Sequence, residues 1–212
     1  MKTKTIILSV LMIFIGLGAL AQDQNSKNYL FTLKGKNKTH EVGWYGSLSG
    51  MYSNTMSEPS GWLGSKVGVV FNHKWAFGWA GNALYFDRKL DELVTDGTYH
   101  LQAGYAGVFA EYMMPIGNRV KLNFSIVSGQ GIAFFQYDKD FAENRPWYEE
   151  KIDQETFAVF EPGIELMTKI GNRWWFGING SYRNTSPVKL TGTNDLLFNK
   201  FNGGLSVRYG IF

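Results

Sequence analysis

Between residues 40 and 212 one pattern recurs eight times. Apolar residues occupy alternate positions over ten to twenty residues, and a run of turn-forming residues follows. A β-strand sends successive side chains to opposite faces, so strict alternation marks strands with one apolar face. The stretches are 40–53, 60–72, 75–87, 98–114, 119–137, 155–170, 173–185 and 199–212. Their connections alternate in length. Asn72-His73-Lys74, Pro115-Ile116-Gly117-Asn118 and Gly171-Asn172 are short and rich in turn residues, whereas 54–59, 88–97, 138–154 and 186–198 are longer and more polar. Short turns at one end and long loops at the other predict an all-β fold, an eight-stranded antiparallel up-and-down transmembrane β-barrel.

A soluble barrel would show the same hairpins, so the second face of each strand decides between the two. Val42, Trp44, Leu48 and Tyr52 alternate with Glu41, Gly43, Ser47 and Ser49. Leu63, Val67, Val69 and Phe71 alternate with Gly64, Lys66 and Gly68. Trp174, Phe176, Ile178 and Tyr182 alternate with Gly177, Asn179, Ser181 and Arg183. The polar face is also small, which suits the crowded lumen of eight strands better than a solvated exterior. Only 18% of the chain is charged, while 16% is aromatic. The aromatics fall into two groups by height, as expected of rings at membrane interfaces. Phe71, Trp75, Tyr112, Trp174 and Tyr209 flank the short turns. Tyr52, Trp62, Tyr85, Tyr99, Tyr137 and Tyr182 lie near the long loops.

The N-terminus reads as an export signal. Lys2 and Lys4 precede the apolar run from Ile6 to Leu20, and Ala19-Leu20-Ala21 supplies small residues for cleavage. The run is short of the about 20 residues a membrane anchor needs. The expected divisions are a signal peptide at 1–21, a polar extension without period at 22–39, and an outer-membrane barrel domain at 40–212. The chain has no Cys, which excludes a disulfide framework, a thiolate site and a lipoprotein anchor. Removing Lys2 and Lys4 takes the formal charge from +3 to +1, which gives no argument for nucleic acid as a partner.

With the apolar faces turned to lipid, eight charged residues point inward: Glu41, Lys66, Glu111, Lys121, Glu161, Glu165, Arg183 and Arg208. Four are acidic and four basic, so pairing across the lumen is expected. The fourth strand is ambiguous. Glu111 inward carries Tyr105 and Phe109 inward as well, and a bulge at Gly104 or Gly107 would change the phase.

Nothing in the sequence assembles a reaction centre or a cofactor site. His40, His73 and His100 share no metal-ligand spacing, and no Ser-His motif accompanies His100 at the outer end. Glu161 and Glu165 are about 13 Å apart along one strand, too far for a close acid–base dyad. Gly129-Gln130-Gly131 lacks the strand-to-helix context of a phosphate loop. Trp147-Tyr148-Glu149-Glu150, in the longest connection, is equally suited to a partner or to packing over the barrel mouth.

The last strand, Phe201 to Phe212, places Leu205, Val207, Tyr209 and Ile211 on one face and Ser206, Arg208 and Gly210 on the other. An exposed apolar edge invites aggregation, and closing a barrel removes it. Together with Tyr105-Ala106-Gly107-Val108-Phe109-Ala110-Glu111-Tyr112, Gly129-x-Gly131, Phe160-Glu161-Pro162-Gly163-Ile164-Glu165, Gly180-Ser181-Tyr182-Arg183 and Arg208-Tyr209-Gly210-Ile211-Phe212, the chain is similar to small outer-membrane β-barrel proteins of the Bacteroidota. The resemblance implies a Gram-negative outer-membrane location and insertion by the barrel-assembly machinery, and it supplies no catalytic residues. It departs from the proteobacterial end signal in one respect: Phe212 lies on the opposite face from Tyr209.

The expected protein is an integral outer-membrane barrel with a structural or surface-interaction role. Its lumen is plugged by ion pairs, it meets outer-membrane lipids and a surface partner through its loops, and it neither transports nor catalyses. A soluble periplasmic lipocalin-like barrel for a small apolar ligand is the alternative, and a narrow channel comes third.

Overall fold

The computed structural model describes residues 31–34, 39–56, 58–85, 98–138 and 151–212. The signal segment 1–21, most of 22–39, and the Trp147–Glu150 stretch lie outside the described residues. Nine strands form one antiparallel sheet: β1 (Phe31–Lys34), β2 (Thr39–Thr55), β3 (Glu58–Phe71), β4 (Trp75–Tyr85), β5 (Thr98–Pro115), β6 (Val120–Asp138), β7 (Lys151–Lys169), β8 (Trp174–Thr185) and β9 (Lys200–Ile211). Each strand pairs with the next, and β9 also pairs with β2 from Trp44↔Ile211 to Tyr52↔Gly203. The eight strands β2 to β9 therefore close into a barrel. β1 stands outside the ring, paired with β2 through Phe31↔Val42 to Lys34↔Thr39, in a segment whose sequence shows no period.

Connection 54–59 is not a long loop. β2 and β3 remain in register to Thr55↔Glu58, so the hairpin is tight. Met56 takes φ 51° there, a left-handed conformation that turn sequences usually give to Gly or Asn.

Strand β5 is unbroken in register against both β4 and β6, so no bulge resets its phase. Tyr105, Phe109 and Glu111 all face inward and are buried. Glycines on other strands make room for Phe109 and for Phe157 on β7. A Cβ at Gly68 would sit 2.7 Å from the Phe109 ring, and one at Gly131 would sit 2.3 Å from the Phe157 ring. The lumen thus departs from the expectation of small side chains alone. Trp62 departs from it too: it is not in an outer belt but 2% exposed inside the barrel. Val42, expected on the outer face, is fully buried, with Phe31 and Phe71 as its cross-strand neighbours.

The outer face is apolar. Leu63 is 64% exposed, Val67 56% and Trp79 67%, and Val108, Phe124, Ile126, Ile164, Leu166, Ile178 and Leu205 are exposed beside them. Near the short turns, Trp75 packs on Tyr112 and Trp174 on Tyr209, each with ring centroids 4.8 Å apart.

The wall is not of even height. β4 and β5 separate above Ala83↔Gly104, and β7 and β8 above Val159↔Thr185, while β5–β6 runs on to Thr98↔Asp138 and β6–β7 to Gln136↔Lys151. A three-stranded sheet therefore projects about 20 Å beyond the ring, counting six residues of β5 at 3.3 Å each. Its outward face is mixed: Gln102, Gln154 and Thr156 stand beside Ile132 and Phe134.

Candidate functional site

The candidate site is the lumen, which is built in layers. In the layer nearer the short turns, Arg208 on β9 reaches Glu111 on β5 and Glu165 on β7. Its Nη1 donates to Glu111 Oε1 at 2.6 Å, and its Nη2 to Glu165 Oε2 at 2.6 Å and Glu111 Oε2 at 3.2 Å. The guanidinium lies 3.9 Å from the centroid of the Tyr45 ring, whose hydroxyl donates to Glu111 at 3.1 Å. Asn123 and Ser206 also donate to Glu165. Arg208 and Glu111 are each 1% exposed. A bidentate, charge-assisted pair of this kind is among the stronger hydrogen-bonded arrangements available to side chains.

The second layer, nearer the long loops, repeats the plan. Arg183 Nε on β8 donates to Glu161 Oε2 on β7 at 3.2 Å, and its guanidinium lies 3.7 Å from the Trp62 ring centroid. Tyr105, Ser181 and Asn202 complete the shell of Glu161 by donating to it. A local feature of β7 sets the geometry. Pro162 has no N–H, and the β7–β8 ladder skips from Phe160↔Asn184 to Gly163↔Ser181. Glu161 and Arg183 sit opposite each other in that gap.

Between the layers lies a cavity of about 50 Å³, bordered by Ser47, Ser65, Ser125, Asn179, Lys66 and Glu165 among others. It has the polar partners and the room to hold water.

These two layers join five of the eight residues singled out in the sequence. The other three stand apart from these ion pairs. Lys66 donates to Ser125 Oγ at 3.4 Å and lies 5.7 Å from the Phe109 ring. Among the described residues Lys121 has no hydrogen-bond acceptor, and it lies over Phe212 and Trp175 at 4.5 and 5.0 Å. Glu41 is at the short-turn rim, 2.6 Å from His73 Nε2. Phe212 turns inward, packing on Tyr45 and Trp175 with ring centroids 5.5 and 5.4 Å away. Its parity, opposite to Tyr209, thus places it at the foot of the lumen.

Sequence reasoning missed the roof. Segment 186–198 folds back over the mouth and buries Val188, Leu190, Leu197 and Phe198. Phe198 packs edge-on against Trp62 at 5.7 Å and against Phe157 at 5.3 Å. A bulge in β7 anchors this segment. The register slips between Phe134 and Phe135, leaving Asp153 at φ 57°, and its carboxylate accepts from Thr191 N at 2.7 Å and Thr191 Oγ1 at 2.9 Å. Asn199 ties the other end, accepting from Thr185 N at 2.8 Å. The signal that could have found it is five apolar residues, Val188, Leu190, Leu196, Leu197 and Phe198, without period, inside a polar loop.

His100 is half-buried. Among the described residues, no three His, Asp or Glu side chains gather as metal ligands.

The architecture is that of a closed eight-stranded antiparallel barrel, apolar outside and charged within. Neisserial surface protein A is similar in structure: TM-score 0.48 and 8% identity, over 82% of this chain and 99% of that one. Ail, the attachment invasion locus protein of Yersinia pestis, is similar as well, with TM-score 0.46 and 13% identity over 80% of this chain and 97% of that one. No family model and no curated protein matches the chain.

Proposed function

We propose that the chain is an integral outer-membrane barrel that acts at the cell surface and neither transports nor catalyses. One observation carries this reading: the polarity of the wall is reversed, with exposed Val, Leu, Ile and Trp outside and buried Arg–Glu pairs inside. Water would not tolerate that exterior over so large an area, and a bilayer requires it. A soluble lipocalin-like barrel would need the opposite arrangement.

On this reading residues 1–21 are the cleaved export signal, 22–39 an extension and 40–212 the barrel, inserted by the barrel-assembly machinery into a Gram-negative membrane. The likeness of its motifs to Bacteroidota barrels fits that origin. The two Arg–Glu layers, with the roof above and Phe212 below, close the lumen. The projecting sheet is the part a surface partner would meet.

Fractionation tests the proposal. The protein should remain in carbonate-washed envelopes and migrate differently on a gel before and after boiling. It should also give no conductance in planar bilayers. Release into the soluble fraction without detergent would sink the membrane reading, and steady single-channel currents would sink the closed lumen.

A further inference from the structure

The short-turn end of the lumen gathers cations. Lys74, Arg119, Lys169 and Arg173 occupy the three short turns and the strand ends beside them, and Glu41 is the one acidic side chain among the described residues there, taken up by His73. The ladder sets Arg119 and Lys169 on the luminal phase. Lys169 N donates to Arg119 O at 2.8 Å, one pair beyond Val120↔Thr168, and Lys169 stands opposite Trp175, which is buried inside. Lys121 lies two residues along from Arg119, on the same phase and one step deeper.

Two electrostatic costs go uncompensated here. Arg119 and Lys169 are directly opposite each other, and like charges so placed, with Cβ atoms about 5 Å apart, destabilise a sheet. Lys121 is 8% exposed, and among the described residues its ammonium has no acceptor. Glu111 and Glu165, the carboxylates of the layer above, are both held by Arg208. The ammonium groups of Lys121 and Lys169 share one ring, at 5.0 and 5.9 Å from the Trp175 centroid. An aromatic face attracts a cation without neutralising it. Both costs are relieved when an anion lies among the three charges. A tetrahedral oxyanion suits them: the fork of Arg119 and the ammonium of Lys169 are donors at the mouth, and Lys121 adds its charge from behind Trp175 and Phe212.

We propose that the foot of the lumen binds a phosphate group, held by Arg119 and Lys169 and drawn by Lys121. The luminal phase turns the site away from the outer wall and toward water. Its ligand is therefore a soluble phosphate-bearing molecule on the short-turn side. The site depends on the closed ring and not on what surrounds the wall.

The test uses the full-length protein as exported, refolded in dodecyl maltoside, a detergent without phosphate, and titrated with inorganic phosphate at constant ionic strength. Calorimetry should show one saturable site, and phosphate should raise the temperature at which the folded gel band is lost. Lys169→Gln should weaken binding about tenfold, the loss of one charge-assisted hydrogen bond. Lys121→Met should weaken it about fivefold, while the melting of the phosphate-free barrel stays unchanged or rises. If Lys121→Met does not fold, Arg119→Gln replaces it, with the loss expected of Lys169→Gln. Lys189→Gln removes one exposed positive charge from the roof, at the opposite end, and should leave binding unchanged.

A folded, heat-modifiable barrel that takes up no phosphate would overturn the site. So would equal losses in Lys169→Gln and Lys189→Gln, which would reduce the effect to the net charge of the chain. Displacement of the bound phosphate by phosphatidylglycerol added to the micelles would overturn the soluble ligand and give these cations to a lipid headgroup.

Discussion

Two buried cations in the lumen make opposite predictions. Arg208 is held by two carboxylates and an aromatic face, so its removal strands Glu111 and Glu165 in a closed interior. Removing one partner of a buried pair costs about 3–5 kcal/mol. Arg208→Met should therefore lower the temperature at which the folded gel band is lost, and adding Glu111→Gln and Glu165→Gln should restore most of it. An Arg208→Met variant as heat-resistant as the parent would show that these pairs do not hold the barrel together. Lys121 has rings and no anion against it. A cation over aromatic faces gains about 0.5–2 kcal/mol, less than the several kcal/mol that its own desolvation costs. Lys121→Met should leave the melting of the folded band unchanged or raise it, and a large loss would mean that an anion holds Lys121.

At the level of elements, the roof is the part whose removal is most informative. Phe198 is 1% exposed between Trp62 and Phe157. Phe198→Ala should cost about 3–5 kcal/mol of local stability and speed hydrogen exchange across 186–198. Conductance should stay at background, because both Arg–Glu layers lie beneath; currents in this variant would make the roof the barrier. The strands were legible in the sequence, since their period of two and the short turns at 72–74, 115–118 and 171–172 are local signals. The phase of β5 was not. Phe109 fits inside because Gly68 faces it from another strand, and register across strands is not written locally. The hairpin at 54–59 was hidden by a Met in a left-handed position and a Pro that reads as loop. The pairing of Arg208 with two carboxylates rather than one depends on the barrel's closure, and so does the solitude of Lys121.

Across the whole molecule, polarity is sorted by height as well as by face. A basic rim underlies the short turns, an apolar band rises above it, and strands of mixed polarity project beyond. The ring that carries these zones is completed by one junction, β2 with β9, whose partners such as Trp44 and Ile211 are separated by nearly the whole domain. Ordering so long a segment before it is rewarded by contacts is entropically slow, and folds dominated by non-local pairing form late and cooperatively. The first strand of the ring thus waits for the last. Until that junction forms, β2 and β9 each present an unpaired row of backbone groups, which leaves a partly folded chain open to pairing with another.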